Sequence, residues 1–291
     1  MNASTSAVTP VLPATLRLGP VAITVADLGR SVEWYERALG LRVHEHDVTS
    51  AQLGDGETVT LELTENAQAR PAGRHSGLYH YALLYPSRAE LARAAVRLAQ
   101  SRTPIQGASD HGTHEAIYLP DPDGNGIELA ADRPRDQWGG GVAAELYRGG
   151  PAPLDTDALL AVVTGEAPAE RVEAGLRVGH MHLHIGDLEQ ALAFYRDVLG
   201  FEVQATMPTA AFVSAGGYHH HLGLNTWKGQ GAPPQPEGVV GLRHWTIALD
   251  TAEQVAEVRA RVEAAGGPVE AEDERSFVAR DPWNLAVRVS A

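Results

Sequence analysis

The chain repeats itself, and that repeat limits the fold more than any other feature of the sequence. Residues 16–43 (LRLGPVAITVADLGRSVEWYERALGLRV) recur as residues 176–203 (LRVGHMHLHIGDLEQALAFYRDVLGFEV), an offset of 160. Gly19 coincides with Gly179, Asp27 with Asp187, Tyr35 with Tyr195 and Gly40 with Gly200. A second pair follows, GLYHYALLYP (77–86) and GLRHWTIALD (241–250). YLPDPDGNGIEL (118–129) then lines up with VARDPWNLAVRV (278–289), again at 160. Each half holds a smaller unit twice: an alternating strand such as Val21–Val25, a helix capped by Asp27 and stopped at Gly40, then three short strands. The unit spans about 17–65, 77–132, 178–227 and 241–290.

A chain of 291 residues is long enough for two such domains. The expected division is a disordered lead-in over 1–14, a first domain over 15–138, a Pro/Gly/Ala-rich linker over 139–175 and a second domain over 176–291. Arg133 and Arg135, with Trp138, are read as tying the linker down. Cysteine is absent, which removes disulfides, thiolate ligands and a cysteine nucleophile together. The net charge of −14 repels phosphate backbones and argues against a nucleic-acid partner. No apolar run is long enough to span a membrane, and the start has no secretory pattern, so a cytoplasmic protein is expected.

ADLGRSVEWYERALGL and GDLEQALAFYRDVLGF resemble the opening of a vicinal oxygen chelate module, and DPDGNGIEL resembles its last strand. The order of motifs, with GLYHYALLYPSRAEL, DRPRDQW and SAGGYHHHLGLNTW, is similar to the catechol 2,3-dioxygenase-like branch of the glyoxalase/bleomycin-resistance/dioxygenase superfamily. The resemblance covers nearly everything from residue 16 onward. It implies an α+β fold in which four βαβββ modules pair into two open-barrel domains. Metal ligands would then come from the first and last strands of paired modules.

Strand parity tests that placement, because alternate residues face opposite sides of a sheet. His180, His182 and His184 share one face, against Met181, Leu183 and Ile185. His219, His221, Gly223 and Asn225 share a face of a strand read over 218–225, with Tyr218, His220, Leu222 and Leu224 opposite. The resemblance makes His180 and His244 metal ligands, but puts Arg288 where a glutamate is expected, and a cation there repels a metal. His221 or His219 would complete the ligands or act as the acid–base group. His182, Asn225 and Arg288 would bind substrate. The first half has Pro20 at one of the four positions, yet Glu62, His80 and Glu128 match the other three of a glyoxalase I-like site, an alternative metal centre.

His44, His46, His75, His111 and His114 are joined by no pattern and are read as structural or solvated. The Tyr218–His221 run is unusual for a strand, since burying unpartnered imidazoles costs about 1–3 kcal/mol each. Asp121–Gly126 is a tight turn. The expected activity is ring cleavage of a catechol-type aromatic by Fe(II) or Mn(II), with Zn(II) or Ni(II) as other divalent ions. The alternatives are a bleomycin-resistance-like small-molecule binder, or a glyoxalase- or thiol-transferase-like enzyme using the first-half site. A homodimer is compatible with each.

Overall fold

The computed structural model describes residues 11–147 and 149–291. The first unit runs β1 (Arg17–Val25), α1 (Leu28–Trp34), β2 (Arg42–His46), β3 (Ser50–Gly54) and β4 (Val59–Glu65). The second is β5 (Gly77–Leu84), α2 (Arg88–Gln100), β6 (Gly107–Asp110), β7 (His114–Pro120) and β8 (Gly126–Asp132). A connection follows with α3 (Gly141–Tyr147), β9 (Ala152–Pro153) and α4 (Thr156–Ala161). The third unit is β10 (Arg177–His184), α5 (Leu188–Leu192), β11 (Glu202–Met207), β12 (Ala210–Ser214) and β13 (Leu222–Asn225). The fourth is β14 (Gly241–Ala248), α6 (Ala252–Ala264), β15 (Val269–Ala271), β16 (Ser276–Arg280) and β17 (Ala286–Ser290). The fold is α+β, with four βαβββ modules on an open sheet.

The local signals act as their chemistry dictates. Asp27 and Asp187 accept the backbone N–H groups of Arg30 and Gln190, satisfying donors that a helix start leaves free. Both helices continue as π turns, over Tyr35–Leu39 and Ala193–Leu199, and stop at Gly40 and Gly200, which take left-handed φ values of 72° and 99°.

Module pairing differs from expectation. The sequence repeat predicts that each half closes its own open barrel, but the ladders cross between halves. β1 lies antiparallel to β14, with Val21 opposite Trp245, so module one pairs with module four. β10 lies antiparallel to β5, with His182 opposite His80, so module three pairs with module two. The resulting strand orders are β2–β3–β4–β1–β14–β17–β16–β15 and β11–β12–β13–β10–β5–β8–β7–β6–β9. Among the described residues one ladder pair, Leu18 with Val178, joins the two runs.

Within each half the modules are tied by a side chain rather than by strands. Tyr35 Oη donates to Asp121 Oδ2, and Tyr195 Oη to Asp281 Oδ2, each at 3.0 Å. The connection is packed, not slack. Arg97 Nη1 donates to Ala169 O at 2.8 Å, and Asp55 Oδ2 accepts from Gly175 N at 2.7 Å. Of the expected lead-in, residues 1–10 lie outside the described residues. Leu12 is buried, and its N–H donates to Gly200 O at 2.8 Å, so disorder does not extend to it.

Candidate metal centre

β5, β8 and β10 lie side by side, and their parity sorts the side chains. Tyr81, Leu83, Ile127, Leu129, Met181 and Leu183 enter the apolar core. The alternate positions carry His80, Glu128, His180 and His182, all buried. Glu128 is 1% exposed and sits at the meeting point of three imidazoles. His180 Nε2 donates to its Oε2 at 3.1 Å, and His114 Nε2 to its Oε1 at 3.1 Å. His80 Nε2 also lies 3.1 Å from Oε2. It lacks the direction of a hydrogen bond and is left as a buried nitrogen without a partner. One donor atom from each of His80, Glu128 and His180 lies within 4.8 Å of the other two.

Protonation suits a cation. Burial alone pushes Glu128 up, but His180 beside it and hydrogen bonds from His114 and His180 outweigh that and hold it as a carboxylate. Burial holds His180 below its usual value despite the carboxylate, so the imidazole is neutral. Two imidazoles and one carboxylate, with the orphaned His80 nitrogen among them, fit a divalent metal. The fourth strand position of this pair of modules is Gly223, opposite His182 in the ladder. A Cβ there would meet the His182 ring at 2.8 Å, so three ligands are available and the fourth place is covered by an imidazole.

A cavity of about 340 Å³ opens beside these residues. His80, His114, Glu128, His182 and His220 line its polar side, and Tyr79, Phe212 and Trp227 its aromatic side. His182 Nε2 is buried without a partner. His111, Tyr118, Val142 and Pro151 add to the wall. A second grouping, His114, Asp132 and His219, lies behind. Its imidazole nitrogens are already engaged: His114 Nδ1 with Thr113 Oγ1 at 2.9 Å, His219 Nε2 with Asp132 Oδ1 at 3.1 Å and His219 Nδ1 with His220 Nδ1 at 2.9 Å. It acts as a hydrogen-bonded support. Tyr218 Oη adds a donation to Asp132 at 2.9 Å.

The equivalent place on the other strand run holds different residues. Pro20 lies on β1, Glu62 on β4, His244 on β14 and Arg288 on β17. His244 Nε2 is 3.7 Å from Glu62 Oε2. Arg288 Nε donates to Glu272 Oε2 at 2.7 Å.

The sequence profile of the Glyoxalase/Bleomycin resistance protein/Dioxygenase superfamily matches residues 17–129 and 177–289. The chain belongs to that superfamily. A catechol-2,3-dioxygenase of Bacillus subtilis (strain 168) is 42% identical over 274 residues, 91% of this chain and 93% of that protein. A solved putative dioxygenase from Bacillus subtilis subsp. subtilis str. 168 superposes with a TM-score of 0.68 at 14% identity, covering 97% of this chain and 86% of that one. Glyoxalase I from Zea mays superposes with a TM-score of 0.58 at 19% identity, covering 95% and 92%. These two structures share the superfamily fold.

Crossed pairing redistributes the expected site residues. His180 and His244, expected to share one metal, lie on different strand runs. His180 instead joins His80 and Glu128 from the first half, two of the three residues of the alternative centre. Glu62, the third, faces His244. Arg288, expected at the substrate, is bound to Glu272 on the far run. His182 does line the cavity. Asn225 does not: its Oδ1 accepts from Trp227 N at 3.0 Å and holds His184 Nδ1 at 2.7 Å. The strand expected over 218–225 begins only at Leu222, because Gly216 and Gly217 turn at φ 61° and 64°. Parity therefore does not reach back to the histidine run. His219 supports the centre, His220 lines its cavity and His221 lines a separate one. His111 and His114, read as structural or solvated, belong to the site. Their signal was the ladder: Tyr118 lies opposite Glu128, and His114 opposite Asp132.

Proposed function

We propose that the protein is a metal-dependent extradiol dioxygenase that cleaves the ring of a catechol-type aromatic, with His80, Glu128 and His180 as the metal ligands. One observation carries this reading: two histidines and one carboxylate converge, and the fourth ligand position is a glycine. Such a set suits Fe(II) or Mn(II) and leaves positions open. The 42%-identical catechol-2,3-dioxygenase supports the same assignment. When bound, the ion would supply Lewis-acid binding of two vicinal hydroxyls and the redox chemistry of dioxygen.

The chain's own residues supply the rest. Tyr79, Phe212 and Trp227 offer ring faces and edges to a flat substrate, and the cavity of about 340 Å³ suits a small aromatic. His220 is the proton carrier. His219 donates Nε2–H to Asp132, so its Nδ1 accepts from His220 Nδ1–H and His220 Nε2 is left with a free lone pair, kept unprotonated because burial holds this imidazole well below its usual value. A substrate hydroxyl can lose its proton there, and the developing positive charge is stabilised through His219 by Asp132. His182 Nε2, buried and unpartnered, is placed to hydrogen-bond the substrate. Arg288, whose charge would disfavour a metal beside it, lies on the other strand run and does not touch this centre.

Oxygen uptake tests the reading. Protein reconstituted with Fe(II) without oxygen, or with Mn(II), should consume dioxygen in step with loss of catechol. Stoichiometric metal without oxygen uptake on catechol or alkyl-catechols would exclude the activity.

A further inference from the structure

The geometry points to a small-oxyanion site at the seam between the two strand runs, built by Arg17, Arg135, Arg177 and His221 and separate from the metal centre. Arg17 and Arg177 are equivalent positions of the repeat, in LRLG and LRVG. Each immediately precedes one member of the Leu18–Val178 pair, the ladder contact that joins the two runs. Both are exposed and bonded through their backbones in the ladders, and neither guanidinium makes a hydrogen bond or ion pair with a described residue. Like charges on adjoining strands repel. The chain has 37 acidic residues and a net charge of −14, yet no Asp or Glu is among the residues that line the cavity beside this pair.

The same cavity, about 150 Å³, is lined by Arg17, Arg135, Arg177 and His221. Arg135 is oriented by its surroundings: its guanidinium lies 5.1 Å from the Trp138 ring centre, and Nη1 donates to Gly216 O at 3.1 Å. The remaining N–H groups of its fork are available to a ligand. His221 is 8% exposed, and its Nδ1 accepts from Ala215 N at 3.1 Å. That bond fixes the tautomer with the proton on Nε2, a donor with no described partner. No carboxylate lines the cavity, and Asp132, which acts on His221 from behind the wall, is taken up by Tyr218 and His219. The polar side chains of the cavity therefore centre on donors and positive charge, which selects a phosphate-like or carboxylate anion over a neutral molecule. Such an anion would bridge Arg17 on one run and Arg177 on the other. His221 lies next to His220, and its carbonyl accepts from Met181 N at 3.0 Å, so the bound anion would also brace the loop beside the metal centre.

The full-length, metal-loaded protein should be titrated with inorganic phosphate and, separately, with acetate, at ionic strength held constant with chloride. Calorimetry and the histidine side-chain NMR signals report binding. The expected result is a saturable site for at least one anion, a shift of the His221 Nε2 signal, and weakening of about tenfold or more in Arg17→Gln and in Arg177→Gln. Arg243→Gln, an exposed arginine elsewhere that donates to Thr64, should bind as the parent does. Phosphate against acetate identifies which anion the site prefers. No saturable binding of either anion overturns the proposal. Undiminished binding in both arginine variants does too, because it places the anion at the metal.

Discussion

The two strand runs share one scaffold and differ at four side chains. Around one, His80, Glu128, His180 and Gly223 occupy the ligand positions; around the other, the equivalents are His244, Arg288, Pro20 and Glu62. The apolar faces are alike, with Tyr81 and Met181 matched by Trp245 and Val21, all fully buried. Folding therefore needs only the core face, and the opposite face is free to keep or lose a metal. In the second run burial, with Arg243 and Arg288 nearby, pulls His244 down to about 4, so it is neutral at pH 7. At the Glu128 position that run carries Arg288, whose guanidinium donates to Glu272, and at the His180 position it carries Pro20, which has no ligating side chain. The second run thus differs from the candidate metal centre both in charge, at Arg288, and in a missing imidazole, at Pro20.

The largest expected effect comes from removing a ligand on one run and its counterpart on the other. His80→Ala or His180→Ala should abolish bound metal in elemental analysis and lower oxygen uptake by roughly a thousandfold or more. His244→Ala should leave both unchanged. Metal loss in the His244 variant alone would break the comparison. Next in size is the support behind the ligands. His114→Gln removes a donor to Glu128 and should weaken metal by about 10–100-fold in chelator competition. Equal affinity in that variant would show that His114 only fills space. Smaller again, Pro20→His with Arg288→Glu restores a ligand set on the second run beside Glu62 and His244. The double variant should take up additional, weakly held metal, and an unchanged metal content would mean that more than four side chains distinguish the runs.

Much of the scaffold is legible in residues 16–43 and their copy, because caps, glycine stops and alternation are local chemistry. Asp27, Asp187, Gly40 and Gly200 do what their types predict. Which modules pair is not local. Each first strand has an apolar face that fits either partner, and the choice lies in long-range contacts such as Asp55 with Gly175 and Leu176. Crossing the pairs moved His180 away from His244 and onto Glu128, and so resolved the misplaced Arg288. Parity succeeded within regular strands, at His180 and His182, and failed at His221, where Gly216–Gly217 interrupts the strand. His114 was passed over as a single histidine, although its rung opposite Asp132 follows from the alternation of HEAIYLP against GIELAAD.

The smallest effect tests the scaffold that both runs use. Asp281 accepts from Trp283 N at 2.8 Å, Leu285 N at 2.9 Å and Tyr195 Oη at 3.0 Å, as Asp121 does from its own turn and Tyr35. Burial pushes Asp281 up to about 6 despite these donors. A carboxyl raised on folding binds its proton more tightly in the native state, so it adds stability that is full below the unfolded pKa near 4 and is lost as pH rises through about 6. Asp281→Asn keeps an acceptor for the two backbone N–H groups but cannot titrate. Between pH 7 and pH 4 the stability difference between parent and variant should therefore move toward the parent by about 3 kcal/mol at most, read from urea midpoints at each pH. A pH-independent difference would mean that Asp281 stays ionised in the fold. The Tyr195–Asp281 bond would then be charge-assisted, and Asp121 should be tested for the same behaviour in the run that holds the metal.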